Sequence, residues 1–150
     1  MKVVLQRVSK ASVSLDTGYK SSIRSGLLIF LGVEDADDTE DIQWLVRKIV
    51  NMRIFSDDEG KMNLSLRDKN YEALVVSQFT LHASTKKGNR PSFIKAAKPD
   101  FAEMMYNTFI EELTNHINNN IKTGIFGGDM KVELTNDGPV TIIIDSKNKF

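Results

Sequence analysis

Apolar and polar positions alternate along most of the chain at strand spacing, and only two stretches change to helical spacing. At the start Val3 and Leu5, with Arg7 in the same phase, alternate with Val4, Gln6 and Val8 and predict a strand. Ser12-Val13-Ser14-Leu15 and Tyr19-Lys20-Ser21-Ser22-Ile23 alternate on either side of Asp16-Thr17-Gly18, which predicts a hairpin. The run Gly26 to Val33 is apolar throughout, as in a strand covered on both faces, and this places it at the centre of the sheet. Between Thr39 and Val50 the period changes. Ile42, Leu45, Val46, Ile49 and Val50 fall on one side of a helix, and Asp38 or Thr39 can cap its free N–H groups.

Arg53-Ile54-Phe55 predicts a short strand closed by a solvated acidic turn, Ser56 to Gly60, which lacks the ligand spacing of a calcium loop. Ala73 to Leu81 reads as a buried strand that turns polar at its carboxyl end, where ligands lie in α/β sheets. Pro99 suits the first turn of a second helix, from Asp100 to about His116, with Phe101, Met104, Met105, Thr108, Phe109 and Leu113 on its apolar side. Asn118-Asn119-Asn120 breaks that helix, and Ile121 to Met130 predict a strand and a glycine-rich turn without dinucleotide or P-loop spacing.

Two strand-like runs close the chain, Met130 to Thr135 and the β-branched Val140-Thr141-Ile142-Ile143-Ile144. Asn136-Asp137-Gly138-Pro139 separates them. Proline donates no backbone hydrogen bond, so Gly138-Pro139 marks where the backbone leaves the ladder. Two readings stay open at this point: a plain hairpin turn, or a stiff loop that presents carbonyl and N–H groups to a ligand, with a cis Gly-Pro bond.

Composition narrows the function classes. A chain of 150 residues fits one domain, residues 1–150. Cysteine is absent, which excludes disulfides, thiolate zinc sites and a cysteine nucleophile and suits a reducing cytoplasm. The first apolar run is too short for a signal peptide or a membrane span, so the expectation is a soluble, cytoplasmic protein with no membrane partner. Lys plus Arg equals Asp plus Glu at 20 each, so no global positive field draws nucleic acid, DNA included, and any RNA contact is local. One local basic segment is Ser84 to Phe93, with Lys86, Lys87, Arg90 and a stacking candidate, Phe93. His82 and His116 are too far apart in sequence to suggest a zinc site or a Ser-His-Asp triad, and His82, close to the polar strand end where it could act as a base, reads rather as a partly exposed structural histidine.

Ser77-Gln78-Phe79-Thr80-Leu81 together with Asn136-Asp137-Gly138-Pro139-Val140-Thr141 closely resembles the D-aminoacyl-tRNA deacylases, also called D-tyrosyl-tRNA deacylases. The likeness extends through Val4 to Val8, Gly60 to Asn63, Arg90 to Phe93 and Gly124 to Gly127, in the same order over essentially the whole chain. It departs at Asn89, where the family's loop often carries another basic residue.

The resemblance implies a compact α/β domain, with mixed, layered or barrel-like sheets packed against two main helices, that works as a homodimer without cofactor or metal. It implies cleavage of the ester between a D-amino acid and the 3′-terminal adenosine of tRNA, and of glycine mischarged onto the alanine tRNA. Gly138 and Pro139 would enter the partner subunit's site, hold the α-ammonium group and leave no room for an L side chain, with Arg7 bracing their carbonyls. Backbone N–H groups of Phe79 and Thr80 would stabilise the oxyanion, Ser77 and Gln78 would shape the site, and Phe126 and Met130 would border the adenine. Thr80 lacks a visible base, which favours attack by water assisted by the ribose 2′-hydroxyl. Two other readings of the same residues are a non-catalytic RNA-end-binding module and a threonine- or serine-based esterase.

Overall fold

The computed structural model describes residues 1–118 and 121–149. The strands are β1 (Lys2–Ser14), β2 (Lys20–Ile23), β3 (Gly26–Gly32), β4 (Phe55–Ser56), β5 (Met62–Leu64), β6 (Glu72–Ser77), β7 (Ile121–Thr123) and β8 (Lys131–Asp145). The helices are α1 (Thr39–Asn51), α2 (Leu66–Lys69) and α3 (Pro99–Thr114), with a 3₁₀ turn at Phe79–His82. The order in the main sheet is β2-β1-β3-β6-β7, and β8 pairs with β1. β3–β6 and β6–β7 are parallel and the other pairings antiparallel, so the sheet is mixed and barrel-like.

Both faces of the central strands are covered, which is why their sequences are apolar without alternation. On one face Leu27, Ile29, Leu31, Ala73 and Val75 meet Ile42, Leu45, Val46 and Ile49 of α1 and Met105, Tyr106, Phe109 and Leu113 of α3. On the other, Leu28, Leu74 and Val76 join Val8, Ala11, Val13 and Ile23. Val3 and Leu5 belong to the helix-covered core and Val8 to the opposite one, as their alternation predicts. Irregular register against β8 at Gln6/Val8 and at Val8/Lys10 then changes the phase of β1, so Ala11 and Val13 share Val8's face.

The predicted hairpin pairs Ala11 with Ile23 and Ser14 with Lys20. Asp38 caps α1, accepting from the N–H groups of Glu40 and Asp41 while its own N–H donates to Asp41. Pro99 is in the first turn of α3. Four expectations are corrected. The strand expected over Ala73 to Leu81 stops at Ser77, because the Leu81 and Ala83 N–H groups turn back onto the carbonyls of Gln78 and Thr80. Met104 points outward and is 53% exposed, its place on the buried face taken by Ala102 and Tyr106. The short strand expected at Arg53 to Phe55 begins only at Phe55 and pairs with β5. His82, read as partly exposed, is buried. Of the expected break at Asn118 to Asn120, Asn118 has a left-handed φ of 46°, and residues 119 and 120 lie outside the described residues.

At the amino end the Met1 ammonium is fully buried, paired with Asp37 and donating to Ser146 Oγ at 2.9 Å. Desolvation raises the pKa of Asp37, against hydrogen bonds from the Glu34 N–H and the ammonium that act to lower it. Beside it, burial would raise the Asp41 carboxyl. Hydrogen bonds from Lys147, Ser146 and the Asp38 N–H outweigh that and bring it down to about 2.

Candidate active site

The closing stretch is where the two readings of Gly138-Pro139 separate. Its flanks do not fold back on each other as a hairpin. Both pair with β1, Asn136 opposite Val8 and Thr141 opposite Gln6. Five residue steps on β8 therefore face two on β1, and the excess chain is pushed out of the ladder as a projection. Asn136 pins its base, for Oδ1 accepts from the Val140 N–H at 2.9 Å and Nδ2 donates to Thr141 Oγ1 at 3.0 Å. The Gly138-Pro139 bond at its tip is cis.

Arg7 lies opposite the projection, its side chain only 12% exposed. Nε donates to the Asp137 carbonyl at 2.8 Å and Nη1 to the Ile54 carbonyl at 2.6 Å, so the planar fork ties the projection to the body of the domain. Arg7 thus holds the carbonyl just before Gly138, whereas the resemblance implies bracing of the Gly138 and Pro139 carbonyls themselves.

A cleft of about 690 Å³ opens beyond the carboxyl ends of the parallel strands β3 and β6. Ser77, Gln78 and Phe79 form one wall, and Phe126 with the turn to Met130 forms another. Phe126 packs against Tyr106 with centroids 5.7 Å apart, and the Tyr106 hydroxyl donates to the Val75 carbonyl at 2.9 Å. Burial pushes that phenol well above its usual range, so it is a fixed neutral donor. Phe79, 55% exposed, meets Phe93 edge-on at 5.1 Å, which brings the predicted stacking residue to the rim. Five sequence-predicted residues thus meet here: Ser77, Gln78, Phe79, Phe126 and Met130. Thr80 follows in the same turn and is exposed, whereas Arg7, Gly138 and Pro139 do not line the cleft of their own chain.

The turn at the cleft carries the chemistry available. Gln78 N–H donates to Leu31 O at 2.8 Å, and Leu81 N–H is the first to close onto the turn, at Gln78 O. The N–H groups of Phe79 and Thr80 precede that closure and have no carbonyl within the turn. The Thr80 hydroxyl accepts from the Gln78 side-chain amide. Neither histidine bonds it. His82 is buried with Nε2 unpartnered, and His116 sits 3.3 Å from Glu112. Among the described residues no cluster of three or more His, Cys, Asp or Glu is placed to hold a metal ion.

Gly32 is a residue that sequence reading missed. A Cβ there would stand 2.9 Å from Gln78 O, 3.0 Å from His82 Cδ2 and 3.1 Å from Leu81 Cβ. Absence of a side chain lets the turn seat against the end of β3, and only its position at the end of an apolar run signalled this.

A barrel-like mixed sheet with a cleft beyond the carboxyl ends of its parallel strands defines a small α/β domain with one candidate site at that end. The family model described as D-Tyr-tRNA(Tyr) deacylase matches residues 4–145, and the chain belongs to that family of ester hydrolases. A protein of Christiangramia forsetii described as D-aminoacyl-tRNA deacylase is 60% identical over 149 residues, covering 99% of each chain. A solved structure described as c-Myc DNA unwinding element binding protein superposes with a TM-score of 0.91 at 44% identity, covering 97% of this chain and 98% of that one. A second, described as a probable eukaryotic D-amino acid tRNA deacylase, has a TM-score of 0.83 at 16% identity over 95% and 97%, and is evidence for the fold alone.

Proposed function

We propose that the chain hydrolyses the ester joining a D-amino acid to the 3′-terminal adenosine of tRNA, that glycine mischarged onto the alanine tRNA is a second substrate, and that it works in the cytoplasm. The observation that carries this reading is the turn after β6. It sets the N–H groups of Phe79 and Thr80, free of intrahelical partners, beside a cleft bordered by Phe126 and Met130. An ester is already activated, so two donors for the tetrahedral oxyanion supply a large part of the required stabilisation, roughly 2.7–4 kcal/mol per donor in comparable sites. Water is the nucleophile, helped by the ribose 2′-hydroxyl, because the Thr80 hydroxyl has a Gln78 amide and no base beside it. Phe126 and Met130 flank the adenine, where stacking contributes about 1–3 kcal/mol.

The enantiomer is selected across a homodimer. Gly138 and Pro139 are exposed and lie outside the cleft of their own chain, and β8 pairs with β1 along one edge only among the described residues. Together with the exposed Ile143 on β8, these features support docking of a second copy that brings each projection into the other's cleft. There its carbonyls hold the α-ammonium group and its bulk excludes an L side chain, whereas D side chains point outwards.

Incubating the protein with D-tyrosyl-tRNA and with L-tyrosyl-tRNA tests the reading. Selective loss of the D ester is the expected result. Sparing both esters would leave a nucleic-acid-end binder, the reading closest to the DNA-binding description of one structural neighbour, and attack on free small esters of either hand would leave a general esterase.

A further inference from the structure

From Ala73 to Pro99 the sequence contains five Lys or Arg residues, Lys86, Lys87, Arg90, Lys95 and Lys98, and no Asp or Glu. The chain as a whole is balanced at 20 and 20, so the rest of it carries the compensating excess of acid. All five cations are exposed, and among the described residues none is ion-paired with a carboxylate. The nearby acids are Glu34, which bridges Ala96 and has its carboxylate 3.8 Å from the Met1 ammonium, Asp100 in the first turn of α3, and Asp129 on the far wall of the cleft.

The segment is fastened to the cleft rather than draped over the surface. Ser84 and Ser92 exchange two backbone hydrogen bonds at 2.7 and 2.9 Å, closing the base of the loop that bears Lys86, Lys87 and Arg90. Phe93 then packs on Phe79 at 5.1 Å, and Ala97 N–H donates to Val33 O at 2.9 Å. Lys98 itself lines the cleft. A positive strip therefore leads away from the cleft's rim, and the partner it fits is a chain of regularly spaced negative charges that begins in the cleft.

We infer that Lys86, Lys87, Arg90, Lys95 and Lys98 form a phosphate track for the RNA strand leading to the 3′ end, separate from the residues that meet the terminal nucleoside. This rests on the proposed tRNA substrate. Each engaged cation contributes about 0.7–0.9 to the slope of log affinity against log salt. Lys86→Gln, Lys87→Gln and Arg90→Gln combined lower that slope by about 2–3 and weaken tRNA binding roughly tenfold or more at 0.15 M salt.

Two substrates and one ligand test it: D-tyrosyl-tRNA, the minimal ester D-tyrosyl-adenosine, and uncharged tRNA, each measured across 0.05–0.3 M salt on the order of the physiological range. The triple variant is compared with Lys10→Gln and Lys122→Gln, surface controls outside the segment. The track predicts a raised KM and a flattened salt dependence for D-tyrosyl-tRNA, weaker binding of uncharged tRNA, and no such change for D-tyrosyl-adenosine. An unchanged slope and KM on tRNA overturns it, and so does an equal loss on both esters, which would make the loop part of the cleft. If the unmodified protein cleaves neither ester, the proposed function fails, while the slope for uncharged tRNA still decides the track.

Discussion

Gly32→Ala tests whether the backbone turn is the working part of the site. The φ of Gly32 lies outside the left-handed region, so alanine meets no backbone penalty, only a lack of space. Its methyl would lie 2.9 Å from Gln78 O and 3.0 Å from His82 Cδ2. Restoring ordinary contact moves the turn by about 0.5 Å. A misplacement of 1 Å can cost about 100-fold in rate, so half of that corresponds to about tenfold in kcat, with about 1–3 kcal/mol lost to overpacking. Single-turnover deacylation of D-tyrosyl-tRNA, alongside thermal unfolding to confirm folding, measures both. A folded variant with the turn displaced and kcat unchanged would refute the reasoning, because oxyanion donors cannot move by that much without effect.

The other predictions rest on separate contacts. Gly138→Ala places a methyl 2.9 Å from both Arg7 Nη2 and Val140 Cγ2 at a φ of +138°, so activity falls while the core stays folded. Mixing this variant with Phe79→Pro, which deletes one N–H, restores activity if the projection serves the other subunit; no recovery despite proven subunit exchange places it in its own chain. Thr80→Ala keeps D-selective activity within about tenfold of the parent, and a fall to the uncatalysed rate would make the hydroxyl the nucleophile. Arg7→Lys loses one of two carbonyl contacts, since an ammonium cannot span Asp137 O and Ile54 O as a fork does, and costs about 1–3 kcal/mol of stability by denaturant titration together with D/L selectivity. The Asp41 carboxyl, at about 2 in the fold, lies below its unfolded value near 3.9, so its contribution is present above pH ~4 and is lost as pH falls towards 2. With Lys147 partly exposed the effect is on the order of 1 kcal/mol, and Asp41→Asn abolishes that part of the acid sensitivity in urea titrations between pH 5 and 2.

Elements with strong periodicity are legible in the sequence alone. The apolar run of β3 and the five-residue stripe of α1 each had one arrangement that buries them. Spacing puts Met104 on the apolar side because a helical stripe read from sequence is wider than the face α3 buries, which Ala102 and Tyr106 fill instead. Sequence alone carries β6 on to Leu81, because Phe79-Thr80-Leu81 has strand propensity. The turn closes through the Leu81 N–H on Gln78 O, and the space that receives it is left by Gly32, which is distant in sequence. Phe126 and Met130 were placed in the site by resemblance, since nothing in their spacing says that the turn faces β6.

The projection shows why part of the site could not be read from one segment. A proline in an apparent strand says only that the ladder is interrupted. Where the interrupted chain goes depends on its partner strand, and that partner is at the opposite end of the sequence. Gln6 takes Thr141 and Val8 takes Asn136, which leaves Arg7 opposite surplus backbone. Arg7 still pairs with Leu27 of β3 but has no register partner on β8, and its fork of donors reaches two carbonyl oxygens at once. Gln6 Nε2 reaches Thr141 Oγ1 at 3.3 Å, next to the Asn136 contact at 3.0 Å, so the flanks are fixed by side chains while the tip is left bare. Gln6-Arg7-Val8 and Asn136 to Thr141 therefore act as a single device. Its rigidity comes from β1, and the Gly-Pro tip is free to meet something outside its own chain.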